Sequence, residues 1–337
     1  MNRAALLVWL LAWTTGCSSP ADRAAPGNAH IVDVGDLSTD QIRSLDRAHT
    51  VVLLEGGILE EHGPYLPSFS DGYQSGFIAA TVAGAIAARP GWTVLRFPPL
   101  PVGAMPANQI GGRLTFPGSY PVRMATLRAV FMDLATDLGD AGFKYILVVN
   151  YHGGPTHNQA LDDASGFFSE RYGGVMVNLM GLVSVAGAAP HDQFTKAERD
   201  AEGFSVHADA DEHSRLLFLK PDLVAAAVHQ APPVVGREPA DLAALARKPD
   251  WPGYFGTPAF ATVEAGRRKM DGLAAAAVDA ALKALDGTLP PDTARVVDQG
   301  AADPVFRQIT EASLDHDRQV EKTEMDWLAA SSARRTK

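Results

Sequence analysis

The chain has 337 residues, 46% of them hydrophobic, enough to bury the core of one large domain or of one domain with an appendage. Its formal charge of −10 at pH 7, with no basic block to offset it, excludes a nucleic-acid-binding role. Cys17 is the only cysteine, which excludes an intrachain disulfide.

Asn2 and Arg3 give the chain a positive start, and residues 4–13 form an apolar segment too short to cross a bilayer. Thr14-Thr15-Gly16-Cys17-Ser18-Ser19 then resembles the end of a bacterial lipoprotein signal, which makes residues 1–17 a signal peptide ending at the lipidated Cys17. Thr14 stands where such signals usually carry an aliphatic residue, and an ordinary secretory signal cut elsewhere is the alternative. Either reading exports the protein. The lipoprotein reading places it in the bacterial envelope or periplasm, touching the membrane through its lipid anchor alone. Residues 18–28, rich in Ser, Ala and Pro, read as a flexible tether.

A folded domain is expected over residues 29–286. A short helix opens at Ser38 or Thr39, either of which is a good N-cap. The apolar run Val51-Val52-Leu53-Leu54 reads as a buried strand. Beyond it Glu60, His62 and Asp71 fall within twelve residues. In an extended stretch Glu60 and His62 point to the same side, and turns at Gly63-Pro64 and Pro67 allow the chain to bring Asp71 back to them. Such oxygen and imidazole ligands suit zinc, manganese or iron, and a carboxylate can bridge two ions. Taken alone, the stretch reads better as a solvated acidic loop, and the case for metal has to come from the rest of the chain.

A helix is expected over 74–88 and a strand over 92–95. Residues 98–119 form a long Pro- and Gly-rich connection of the kind that is usually functional or disordered. Leu127, Phe131, Leu134 and Leu138 mark one face of a helix ending near 139–142. Tyr145-Ile146-Leu147-Val148-Val149 is the clearest strand, and it runs into Asn150-Tyr151-His152-Gly153-Gly154. A helix over 159–172, a strand over 175–179 and a loop over 184–204, placed to cover a site, come next. His207, Asp209, Asp211, Glu212 and His213 then crowd the start of a helix. Carboxylates are favoured there in any case, so Asp209 and Asp211 read as first-turn acids. The last core helix covers 263–285. Residues 287–337 form a C-terminal extension with a charged amphipathic helix over 304–330, suited to packing or oligomer contact rather than chemistry. Strands alternating with helices predict an α/β fold with a largely parallel sheet. Ligands gather at the carboxyl ends of such strands, where Glu60, His62 and His152 all fall.

Ile58-Leu59-Glu60-Glu61-His62-Gly63-Pro64-Tyr65-Leu66-Pro67, with Asp71 nine residues after His62, resembles the E-x-H-G-P-x-L-P…D signature of the creatininase (creatinine amidohydrolase) family. Asn150-Tyr151-His152-Gly153-Gly154 is similar to its N-G-H-G-G element, and residues 206–214 to its H-A-G-x-x-E-T-S element. Phe116-Pro117-Gly118-Ser119 echoes its F-P-G-T. Phe255-Gly256-Thr257-Pro258 through Arg267 resembles its closing F-G-x-P…A-T-x-E-x-G segment. The resemblance spans about residues 31–285 in unbroken order. It implies a Rossmann-like layered fold, usually oligomeric and often hexameric, carrying two divalent ions: zinc, manganese or iron. Carried over by position, Glu60 and His152 hold one ion, His62 and Glu212 the other, and Asp71 bridges them. A metal-activated hydroxide then attacks the carbonyl carbon of a C–N bond, and His207 protonates the leaving nitrogen.

Several positions depart from the family pattern: Tyr65, Pro155, Asp209, Ala210 and His213. All spare the ligands but leave the substrate open among small cyclic amides, formamides and short peptide-like molecules. Gly153 and Gly154 read as sites of close backbone approach. Glu61 reads as a solvated neighbour of Glu60, or alternatively as a hydrogen-bond partner of a ligand. His157 and His213 are candidate partners of the ligands. The other histidines, His30, His49, His191, His229 and His316, read as surface or local partners. Glu264 and Arg267 read as an ion pair, and Trp251, Tyr254 and Phe255 as a pocket wall or a subunit contact. From a different class, a non-catalytic envelope protein could keep the fold and the metals for structure or ligand capture. The complete ligand set, with His207, favours the enzyme.

Overall fold

The computed structural model describes residues 30–183 and 195–335. Cys17, the signal, the whole tether, part of the expected covering loop and His191 lie outside the described residues.

Five strands form one parallel sheet: β1 (Ile31–Asp33), β2 (Thr50–Gly57), β3 (Thr93–Arg96), β4 (Tyr145–Tyr151) and β5 (Val175–Asn178), in the order β1-β3-β2-β4-β5. The helices are α1 (Thr39–Ser44), α2 (Ser70–Ala87), α3 (Met124–Asp140), α4 (Pro155–Tyr172), α5 (Leu179–Val183), α6 (Lys196–Glu202), α7 (Ala210–Leu219), α8 (Pro239–Ala246), α9 (Val263–Leu285), α10 (Val296–Ala302) and α11 (Pro304–Arg335). Alternate strand residues point to opposite faces. Val51, Leu53, Leu147 and Val149 pack under α2 and α9, while Val52, Leu54, Ile146 and Val148 pack under α3 and α4. Both faces are covered, which is why β2 and β4 read as unbroken apolar runs rather than as alternating ones. The fold is α/β and layered, as the strand–helix alternation predicts.

The topology places the site. From β2 the chain goes through α2 to β3 on one side, then returns through α3 to β4 on the other. The crevice past the carboxyl ends of β2 and β4 is therefore the switch point of the sheet, the usual binding crevice of open α/β folds.

The observed elements differ from the expected ones mainly at their ends. β2 runs on to Gly57 because Gly56 and Gly57 keep pairing with Asn150 and Tyr151 of β4. α2 begins at Ser70 rather than 74, so Asp71 sits in a helix's first turn instead of a loop. α4 begins at Pro155, whose missing N–H costs nothing at the first helical position. β1, three residues at the sheet edge, has no apolar run to announce it. Between 98 and 119 the only regular turn is a 3-10 segment, Ala107–Gly111. No described helix is long and apolar enough to cross a membrane.

Candidate metal centre

Four segments bring the acidic and imidazole groups together. The loop after β2 folds back at Gly63, held where the Glu60 N–H donates to the Ser68 carbonyl at 2.9 Å. This carries Glu60 and His62 over the strand end, and the first turn of α2 adds Asp71. His152 follows β4 directly. Glu212 and His207 arrive at the start of α7, whose first turn is fixed by the Asp209 carboxylate accepting from the Glu212 N–H at 2.9 Å. All six groups are buried.

The ligand atoms fall into overlapping groups, each with its members within 4.8 Å of one another: Glu60, Asp71 and His152; His62, Asp71 and Glu212; and Glu60, His62 and His207. Asp71 divides itself between the first two. Its Oδ2 lies 3.2 Å from His152 Nδ1, and its Oδ1 lies 3.7 Å from His62 Nε2. Glu60 Oε2 stands 3.1 Å from His152 Nδ1, and Glu212 Oε1 stands 3.5 Å from His62 Nε2. Two atoms at the centre, Glu60 Oε2 and His62 Nε2, are buried without a hydrogen-bond partner. Buried polar atoms rarely go unmatched. Carboxylate oxygens and imidazole nitrogens converging with spare lone pairs fit divalent cations.

The electrostatics agree. Burial alone would raise the Glu60 carboxyl, but the imidazoles of His152 and His207 outweigh it and hold it at about 2. Burial would likewise lower His62 and His152. Glu212 and Asp71 push His62 well above the usual range, and Glu60 and Asp71 do the same to His152. Without cations the carboxylates gather protons on the imidazoles in their place, as a site built for positive charge does.

Partners outside the cluster orient these ligands. His152 Nε2 sits 2.9 Å from the Met105 carbonyl, which fixes the proton there and leaves Nδ1 to face Glu60 and Asp71. The Ala107 N–H donates to Glu60 Oε1. Glu212 accepts from Gln74 Nε2 at 2.9 Å and from the Ala208 N–H at 2.8 Å, and Gln74 is itself held by Arg215 at 2.8 Å. Sequence reasoning missed Met105, Ala107 and Gln74. The one signal was the length of the 98–119 connection, because two of the three act through backbone atoms that carry no residue-type signature.

Two expectations are corrected, for Glu61 and for the Glu264 ion pair, and the remaining neighbours are placed. Glu61 is 3% exposed, not solvated; burial raises its carboxyl, and its Oε2 lies 3.3 Å from His207 Nε2. Glu264 pairs with Arg268 at 3.0 Å rather than with Arg267, which lies over the Phe218 ring. His157 packs its ring edge-on to His152, with centroids 5.1 Å apart, and accepts the Ala104 N–H, so it props the ligand sterically. His213 turns its Nδ1 to the Asp209 carbonyl. Phe255 is core, while Trp251 and Tyr254 line a second pocket with Tyr65.

Of the glycine pair, only Gly154 is sterically required. A Cβ there would lie 2.6 Å from His152 Nε2 and 2.8 Å from the Met105 carbonyl, whereas one on Gly153 meets nothing. Gly154→Ala is expected to tilt His152 off Met105 and weaken metal binding by about 10–100-fold, with the helical circular dichroism unchanged. Metal titration of both proteins checks this; equal affinities would count against His152 as a ligand.

Five of the six groups, all but His62, line a cavity of about 700 Å³ that also takes in Tyr151, Ser205, Arg215 and Lys269. The Ser205 hydroxyl is buried there without a partner.

The sequence profile described as creatininase, creatinine amidohydrolase, matches residues 35–281. Among solved structures, a candidate creatinine amidohydrolase from Bacteroides fragilis is 23% identical, covers 75% of this chain and 96% of its own, and superposes with a TM-score of 0.55. A creatinine amidohydrolase (creatininase) is 23% identical over 77% of this chain and 98% of its own, with a TM-score of 0.55. A manganese form of creatininase is 22% identical over 77% of this chain and 99% of its own, with a TM-score of 0.54. At that identity these likenesses speak for the fold. No curated protein matches the chain in sequence.

Proposed function

This chain belongs to the creatininase family, a family of metal-dependent amidohydrolases, and from that premise we propose that it hydrolyses a C–N bond in a small cyclic amide, a formamide or a short peptide-like substrate. The observation that carries the reading is Asp71, whose two oxygens face two different imidazoles and so serve two candidate cation groups at once. Glu60 and His152 would hold one ion and His62 and Glu212 the other. Zinc and manganese are the ions assigned, and iron suits the same donors. Two such cations supply Lewis acidity to a carbonyl and make water a nucleophile near neutral pH.

The chain's own residues do the positioning. His207 Nε2 lies 2.7 Å from the Glu61 carbonyl, which can only accept, so this nitrogen carries the proton of that bond. Its Nδ1 edge is left to deliver a proton to the departing nitrogen. The unpartnered Ser205 hydroxyl offers a donor to the carbonyl oxygen as negative charge builds on it. Burial of His207, Glu60, His62, Asp71, His152 and Glu212 keeps bulk water from screening them.

Zinc or manganese is expected to raise the melting temperature of the full chain, by the equivalent of about 2.7 kcal/mol at a hundred times the dissociation constant. The loaded protein is expected to release ammonia, amine or formate from some member of an amide and formamide library. Failure to retain metal would sink the proposal; retained metal without turnover across the library would favour ligand capture instead. Export with lipidation at Cys17 and assembly as a homo-oligomer complete the proposal. The first is supported by the amino-terminal sequence and the second by the family resemblance.

A further inference from the structure

The profile match to the family ends at residue 281, yet the cavity does not. Val296 and Gly300 on α10, and Phe306 and Ile309 on α11, line it together with Glu60, Asp71 and His152. Their spacings of four and three residues put each pair on one helix face.

The extension is fastened rather than loosely draped. α10 packs on α4 and α5, with Gly300 so close to Pro155 that a Cβ would come within 3.1 Å of the ring. Arg295 pairs with the largely buried Asp162 of α4 at 3.2 Å. Asp303 caps α11, accepting from the N–H groups of Val305 and Phe306 at 2.8 and 3.1 Å. Ile309 is 7% exposed and shares an apolar cluster with Met105 and Ile110, against which Phe306 also packs. Farther along, Asp317 accepts the Met124 N–H at 2.8 Å, and Arg123 bonds Glu324 at 2.6 Å.

What the extension offers the cavity is apolar. Its one acidic lining residue, Asp303, is committed to the helix cap. We propose that residues 287–335 are the specificity element of the site, with Val296, Phe306 and Ile309 forming an apolar wall that selects amides bearing an aliphatic or aromatic substituent. This rests on the metal-centre reading above, since that centre fixes where the amide sits. The wall acts on the substituent and leaves the bond-breaking machinery alone.

Hydroxamates, which chelate metals through a small head, separate the two readings. Acetohydroxamate reports on the zinc-loaded centre alone, and phenylacetohydroxamate adds a ring for the wall. By calorimetry on the zinc-loaded full chain, the ring is expected to improve affinity about tenfold or more, the usual worth of burying such a group. Phe306→Ala is expected to cut that preference to about threefold or less. Phe306→Trp is expected to abolish it by filling the space. Acetohydroxamate affinity should stay within about twofold in both variants, which also shows that they are folded. Equal affinity of the wild type for the two probes, or a preference that neither variant changes, would overturn the wall. Binding of neither probe by zinc-loaded wild type would bring down the metal centre itself, and this inference with it.

Discussion

Asp71→Asn is expected to cost the protein both cations at once. Asp71 is the only residue shared by the Glu60–His152 group and the His62–Glu212 group, with one oxygen turned to each imidazole. Asparagine keeps the shape but replaces one oxygen with an amide NH2, which donates where a lone pair is needed. Removing even an outer partner of a metal ligand costs about 10–100-fold, so loss of a shared ligand should lower turnover on the order of 10³-fold or more. The metal-free fold should lose stability as well, because the variant removes a buried carboxylate that holds the His62 and His152 imidazoles above their usual range. The side-chain volume is conserved, so the helical circular dichroism should be unchanged. Elemental analysis should find less than one ion per chain, and zinc should no longer raise the variant's own melting temperature. Full metal occupancy with wild-type turnover in this variant would refute the shared-carboxylate assignment.

Much of this site was legible because its ligands are side chains of distinctive chemistry at strand ends. Glu60, His62 and His152 follow the two clearest strand-like runs of the folded domain, residues 51–54 and 145–149. A parallel sheet puts the ends of such runs at one edge, so periodicity alone nominated the crevice. Asp71 was located by type but not by setting, because the helix that carries it begins with Ser70 and Asp71 rather than with an apolar stripe. The burial of Glu61 was not readable at all. Nothing in its local sequence separates it from Glu60, and its environment is made by His207, 146 residues away along the chain. The share of the extension in the cavity was hidden for a related reason. Its charged composition suits an exposed helix, and only three-dimensional packing reveals which few apolar residues turn inward.

His207→Gln is expected to separate proton delivery from metal binding. One candidate group joins His207 to Glu60 and His62, which by position alone sets it among the ligands. Geometry speaks against that. Its Nε2 is spent on the Glu61 carbonyl at 2.7 Å, while its Nδ1 stands 3.8 Å from Glu60 Oε1, farther than the 3.1 Å between His152 Nδ1 and Glu60 Oε2. Burial would lower the imidazole, but Glu60 and Glu61 outweigh it and hold it at about 9, so in the metal-free chain it is a proton carrier already charged. With cations in the site that proton would be held less tightly and be easier to give away. Glutamine can still donate to the Glu61 carbonyl but cannot pass a proton on. In His207→Gln, kcat should therefore fall by about 10²–10⁴-fold, with KM and metal content close to wild type. Glu61→Gln should cost less than about tenfold, because the backbone carbonyl that orients His207 remains. Were metal lost along with activity in His207→Gln, the residue would be a ligand and the proton would have to come from elsewhere in the cavity.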